Sequence, residues 1–135
     1  MHATVTWLHD QQYDAESHTG NHVAMDADAS HQGGPGPMEM VLMGLCSCTS
    51  VDVVSILRKK REPLTSLIVS AVAEQATDAP RVFTHIQLTY HIGGGVSHKA
   101  AEDAVALSKN KYCSVSKMLE KSATIDSVIT YGEPA

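Results

Sequence analysis

The stretch GPGPMEMVLMGLCSCTSVDVVSILRKKREP, Gly34 to Pro63, decides how the rest of the chain reads. It opens on a Gly/Pro cluster, and Pro37 suits a first helical position, where its fixed φ fits and its missing N–H costs nothing. Glu39 in the first turn complements the positive end of the helix dipole. From Met38 to about Lys60 the run reads as one long helix. Apolar residues cover nearly its whole circumference, which predicts burial on most sides. The cluster Arg58-Lys59-Lys60-Arg61 suits the C-terminal end, and Pro63 supplies the stop.

Strand signals flank this helix. Ala3 to Trp7 alternates, HTGNH (His18 to His22) makes a turn, and His22 to Met25 reads as the returning strand. Beyond Pro63, Leu64 to Ala73 alternates with apolar residues in both rows. Val82 to Ile92 alternates as a half-buried strand, with Val82, Thr84, Ile86, Leu88, Tyr90 and Ile92 in one row. TDAPR between them predicts a hairpin, and Gly93 to Gly95 ends it as a flexible connection. Ser97 to about Lys111 reads as a helix, Ser114 to Lys121 as a shorter one, and Thr124 to Tyr131 as a last strand. This order predicts an α+β fold, a mostly antiparallel sheet enclosing a central helix, as a single domain over residues 1–135.

The net charge of −5 argues against nucleic acid or an anionic membrane as partner. No Lys or Arg precedes Arg58, while His2, His9, His18, His22 and His31 crowd the start at irregular spacing that reads as solvated or packing positions. The N-terminal MHATVTWLHD alternates instead of forming the apolar run of a signal peptide. Met38 to Leu57 is interrupted by Glu39, Asp52 and several Ser/Thr, so no membrane span is expected. The expected location is the cytoplasm, where three cysteines read as reduced thiols, metal ligands or redox groups and not as a disulfide framework.

Cys46 and Cys48 lie two apart, about 200° around a helix axis. An unbroken helix does not turn both toward one ion, and structural zinc pairs ordinarily use a wider gap. Cys46 reads as a small core residue. Cys48 and Cys113 admit two readings, core packing or a two-thiol cycle. In the cycle one thiolate is oxidised to a sulfenic acid and a second thiol closes a disulfide. Cys48 sits nearly three turns into the helix, beyond reach of its dipole, and Asp52 one turn later adds a negative charge if ionised.

GPGPMEMVLMGLCSCTSVDVVSIL, followed much later by KYCSVSKML, resembles the OsmC/Ohr family, and within it the YhfA-like branch. The resemblance runs over nearly the whole chain. It implies an OsmC-like fold, an intertwined homodimer with sheets wrapped around two central helices, and active sites at the subunit interface. It implies a thiol peroxidase acting on organic hydroperoxides, with Cys48 peroxidatic, Cys113 resolving, no cofactor, and a lipoylated or other dithiol protein as reductant. The alternative within the same fold is a non-peroxidatic protein that binds a small ligand or exchanges thiols and disulfides. Relatives with peroxidase activity carry a Glu ten residues before the peroxidatic Cys. Here that position is Met38, and Glu39, taken as the site's acid, stands nine before, about 180° around an ideal helix. The relatives' activating Arg has no N-terminal counterpart, leaving Arg58, Arg61, Arg81 or a His such as His22 to replace it.

Overall fold

The computed structural model describes residues 1–134, with elements β1 Ala3–His9, β2 Gln12–Ser17, β3 His22–Asp26, α1 Pro37–Lys59, β4 Ser66–Gln75, β5 Phe83–Gly93, α2 His98–Leu107, a π-helical turn Ser108–Tyr112, α3 Ser114–Leu119 and β6 Thr124–Tyr131. They fall into two compact units, Met1–Met43 and the chain from Gly44 onward, and α1 crosses the boundary between them.

In the first unit β1, β2 and β3 form an antiparallel sheet in that order. The strand returning at His22 therefore pairs with β2 and not with β1, as Tyr13↔Met25 and Ala15↔Val23 show. The sequence reading passed over β2 because QYDAES offers only Tyr13 and Ala15 as alternating apolar residues. Asp10, at φ 47°, makes the tight turn from β1 into β2. After β3 the chain folds around buried Asp26, whose carboxylate accepts the N–H groups of Asp28 and Gly33 at 2.9 and 3.0 Å. Gly34 has φ 152°, and a Cβ there would collide with the Ala24 carbonyl, so only glycine fits this approach.

In the second unit β4 and β5 form the expected antiparallel hairpin, and β6 adds to β5 in parallel. A parallel neighbour needs a crossover, which α2, the π-turn and α3 supply. Ile86, Leu88, Tyr90 and Ile92 point inward as the alternation predicts. Its first two members do not: Val82 is exposed, and Phe83 is buried where Thr84 was expected. A register shift between Glu74 and Gln75 pairs Gln75 with Phe83 and reverses the parity at the strand's start.

α1 begins at Pro37 and ends as expected, with Arg58 and Lys59 in the last turn. Glu62 N–H reaches back to the Leu57 carbonyl while Arg61 takes a left-handed conformation (φ 59°), closing the helix before Pro63. The expectation of burial on most sides is not met within one chain. Leu45, Thr49, Val53 and Leu57 form the single buried row, at i, i+4, i+8 and i+12, while Val51 is 69% and Met43 54% exposed. The helix has the length and mean hydropathy of a membrane span. Its buried row and the hydrogen bonds of Thr49 and Asp52 to the second unit's own side chains make it a core helix instead.

Each apolar residue in that row contributes by being taken out of water. Leu57→Ala is expected to lower unfolding free energy by about 2–5 kcal/mol, since a fully buried leucine leaves a cavity. Chemical denaturation monitored by circular dichroism measures it.

Candidate functional site

Cys113 stands between the π-turn and α3 in extended backbone, φ −74° and ψ 102°. Its N–H donates to the Ser108 carbonyl at 2.8 Å, five residues back, the bond that defines a π-turn. Its Sγ accepts the Ser116 N–H at 3.4 Å, and its carbonyl accepts the Ser116 hydroxyl at 3.0 Å. The side chain is fully buried. Cys48, partly exposed on α1, is a near enough neighbour to perturb the Cys113 thiol, and both are free thiols. The fold thus brings together two cysteines 65 positions apart in the chain (113 − 48).

Burial pushes the Cys113 thiol above its ordinary value, and the hydrogen bonds from Ser116 pull it part of the way back. The neighbouring Cys48 thiol adds to the rise. Cys46 is half-buried on another side of the helix, and burial raises its thiol too. Its carbonyl accepts the Ser50 hydroxyl at 2.6 Å.

Beside the thiols runs a chain of buried hydroxyls. Tyr90 OH lies 2.7 Å from Thr49 Oγ1, which lies 2.8 Å from Ser108 Oγ, which donates to Asp52 Oδ2 at 2.8 Å. Each hydroxyl has one proton to give. Ser108 gives its proton to Asp52, so Thr49 donates to Ser108 and Tyr90 donates to Thr49. Burial raises the Tyr90 phenol, the hydrogen bond with Thr49 offsets part of that rise, and the Cys113, Cys46 and Asp52 charges add smaller upward contributions. Sequence reasoning left Thr49, Tyr90 and Ser108 unassigned. No local signal marked them: Thr49 needs a partner because it lies in the buried 45–49–53–57 row, which only the folded structure singles out.

A groove of about 420 Å³ lies alongside, bordered by Asp52, Ser55, Ile56, Lys59, Lys60, Leu107 and Tyr112. Neither thiol lines it, but Asp52 is one helical turn from Cys48 and Tyr112 immediately precedes Cys113 in the chain. A larger open groove of about 580 Å³ follows α1 past Val51, Val54 and Arg58, shares Ser55 and Lys59 with the first, and likewise includes neither thiol.

Glu39 serves the helix start. Its Oε1 accepts the Gly36 N–H at 2.9 Å, the back-reaching half of a capping box, and lies 3.7 Å from His31 Nε2. His31 Nδ1 lies 2.7 Å from the Asp26 carbonyl and donates to it. Among the suggested cations, His22 is held by Asp14 at 2.9 Å and Glu16 at 3.3 Å. The hydrogen bond to Asp14, then its charge, raise the His22 pKa. Arg81 Nε donates to the Ala76 carbonyl in the β4–β5 hairpin, and Arg58 is exposed at the end of α1. Among the described residues no three His, Cys, Asp or Glu side chains converge as a metal site would require.

A long helix carrying a cysteine, set on a sheet with a second cysteine at a helix junction, defines a dithiol α+β protein. The chain belongs to the family of OsmC-like proteins, whose pattern matches residues 29–128. It is 41% identical over 126 residues to Protein YhfA of Escherichia coli K12, covering 93% of each chain. A structure from structural genomics superposes with a TM-score of 0.89 at 38% identity, covering 98% of this chain and 100% of the other. An organic hydroperoxide resistance protein OsmC from Legionella pneumophila superposes with a TM-score of 0.71 at 15% identity, covering 95% and 94%, a likeness of fold alone.

Two outcomes follow from this geometry. Only the thiolate alkylates, so Cys113, buried and raised, should react with iodoacetamide more slowly than Cys48 at neutral pH. Its rate should keep climbing as pH passes the ordinary thiol value near about 8.5, read by peptide mass spectrometry. Glu39→Ala should lower stability by about 0.3–1 kcal/mol by removing a carboxylate from the helix start, measured by thermal melting.

Proposed function

We propose that this protein is a cytoplasmic thiol peroxidase that reduces organic hydroperoxides with Cys48 and Cys113. The observation that carries this reading is the approach of the two thiols, one partly exposed and one buried. The Cys48 thiolate attacks the outer peroxide oxygen, the O–O bond breaks, and the alkoxide leaves and takes a proton as the alcohol. Cys48 is then a sulfenic acid. The Cys113 thiolate attacks its sulfur and expels hydroxide, which leaves as water, and a disulfide closes. Two electrons from a dithiol reductant, a lipoylated protein among the chemical possibilities, reopen it. No cofactor is required. The groove beside Asp52 and Tyr112, with Ile56 and Leu107 on its wall, offers room for the organic part of a small hydroperoxide.

The active form in this reading is an intertwined homodimer, with residues 1–135 of each copy acting as one domain. The exposed apolar side chains of α1, Met43 and Val51, and of β1, Val5, Trp7 and Leu8, support it, since such surface gains by being covered. Similarity along 98% of the chain supports the single domain. Glu39 acts indirectly here, through the helix that it caps and that carries Cys48.

The second reading, thiol–disulfide exchange without peroxide chemistry, is favoured by the same buried, paired Cys113. Peroxide consumption by the reduced protein separates the two. Wild type should consume an organic hydroperoxide in the presence of a dithiol reductant, Cys48→Ser should abolish turnover, and Cys113→Ser should stop at one oxidation without a disulfide. Turnover that survives Cys48→Ser would sink the peroxidase assignment.

A further inference from the structure

We propose that Ser108 is the positioning residue that holds Cys113 against Cys48, touching neither sulfur's reaction partner itself. This rests on the reading of Cys48 and Cys113 as the redox pair. Ser108 is fully buried and uses every polar group it has. Its side chain grips α1 just after Cys48: it accepts from Thr49, the next residue, and donates to Asp52, one turn on. Its carbonyl accepts the Cys113 N–H at 2.8 Å, and its own N–H is taken by the Ala104 and Val105 carbonyls of α2. One residue therefore joins three things: the helix beside the first thiol, the end of α2, and the backbone of the second thiol.

The π-turn is what makes this position matter. A π-turn holds one residue more than an α-turn, is rare, and occurs frequently at functional sites. Relaxing Ser108–Tyr112 to an α-turn would rotate Cys113 by about 100° around the axis and carry its thiol away from Cys48. A disulfide tolerates little such movement, because Cα atoms beyond about 7 Å are not bridged. Ser108 Oγ, locked between Thr49 and Asp52, opposes that relaxation.

The test is an equilibrium in glutathione redox buffers. The reduced dithiol plus one glutathione disulfide gives the protein disulfide and two glutathiones, so two electrons pass from protein to glutathione. The readout is the effective concentration of Cys48 toward Cys113. Ser108→Ala is expected to lower it about tenfold, the loss of one hydrogen bond to a charged group. Asp52→Ala should fall with it, while Asp52→Asn, which keeps an acceptor for Ser108, should stay within about threefold of wild type. In peroxide, the sulfenic acid on Cys48, trapped with a dimedone probe, should form at the wild-type rate in Ser108→Ala and persist about tenfold longer. Retention of wild-type effective concentration by folded Ser108→Ala and Asp52→Ala overturns the proposal, and should Ser108→Ala fail to fold, the two Asp52 variants decide it alone. A wild type inert to peroxide but with the expected glutathione result would remove the peroxidase reading and leave the role of Ser108 standing.

Discussion

The hydrogen-bonded chain Tyr90–Thr49–Ser108–Asp52 is the constraint on which the second unit depends. Tyr90 belongs to β5, Thr49 and Asp52 to α1, and Ser108 opens the π-turn that follows α2. The apolar residues around them pack without direction, and many slightly different arrangements would bury Leu45, Val53, Leu57 and Ile86 nearly as well. Three buried hydroxyls and a carboxylate permit far fewer arrangements, because each donor left without an acceptor costs about 1–3 kcal/mol. The chain therefore sets the rotation of α1 on the sheet and the place where α2 gives way to the π-turn. The position of both thiols follows from those two settings.

The same helix shows how local and global demands differ. α1 is apolar around most of its circumference, yet only one row is buried within the chain. A soluble helix of this composition has surface left over for a partner. In the proposed dimer a second copy would cover that surface. Glu39 and the Asp26-centred loop before Pro37 belong to the same economy of parts. They use polar side chains to start the helix at one defined residue, which sets the phase of every residue after it, Cys48 included.

Cys48 and Cys113 were legible in the sequence only as two cysteines in a familiar order. Nothing local joins residue 48 to residue 113. The π-turn was not legible either, since SKNKY carries no pattern that separates it from a continuing α-helix to Lys111. The inward row of β5 was read correctly from Ile86 onward and wrongly at its start. Alternation assumes an unbroken ladder, and the shift at Glu74/Gln75 breaks it. β2 was missed because its neighbours, not its own composition, make it a strand.

By itself the sequence determined the elements with strong periodicity and clear ends: the long helix between Pro37 and Lys59, the β4–β5 hairpin, the later helices and the last strand. These are set by side-chain spacing, proline and glycine geometry and end charges, all of which act over a few residues. Only the tertiary structure decided which face of α1 is buried, that β6 lies parallel to β5, that Glu39 caps a helix, and that Ser108 links the two thiols' supports. Those outcomes depend on which distant groups meet. A hydroxyl or carboxylate carries no mark of its partner until the chain between them has closed.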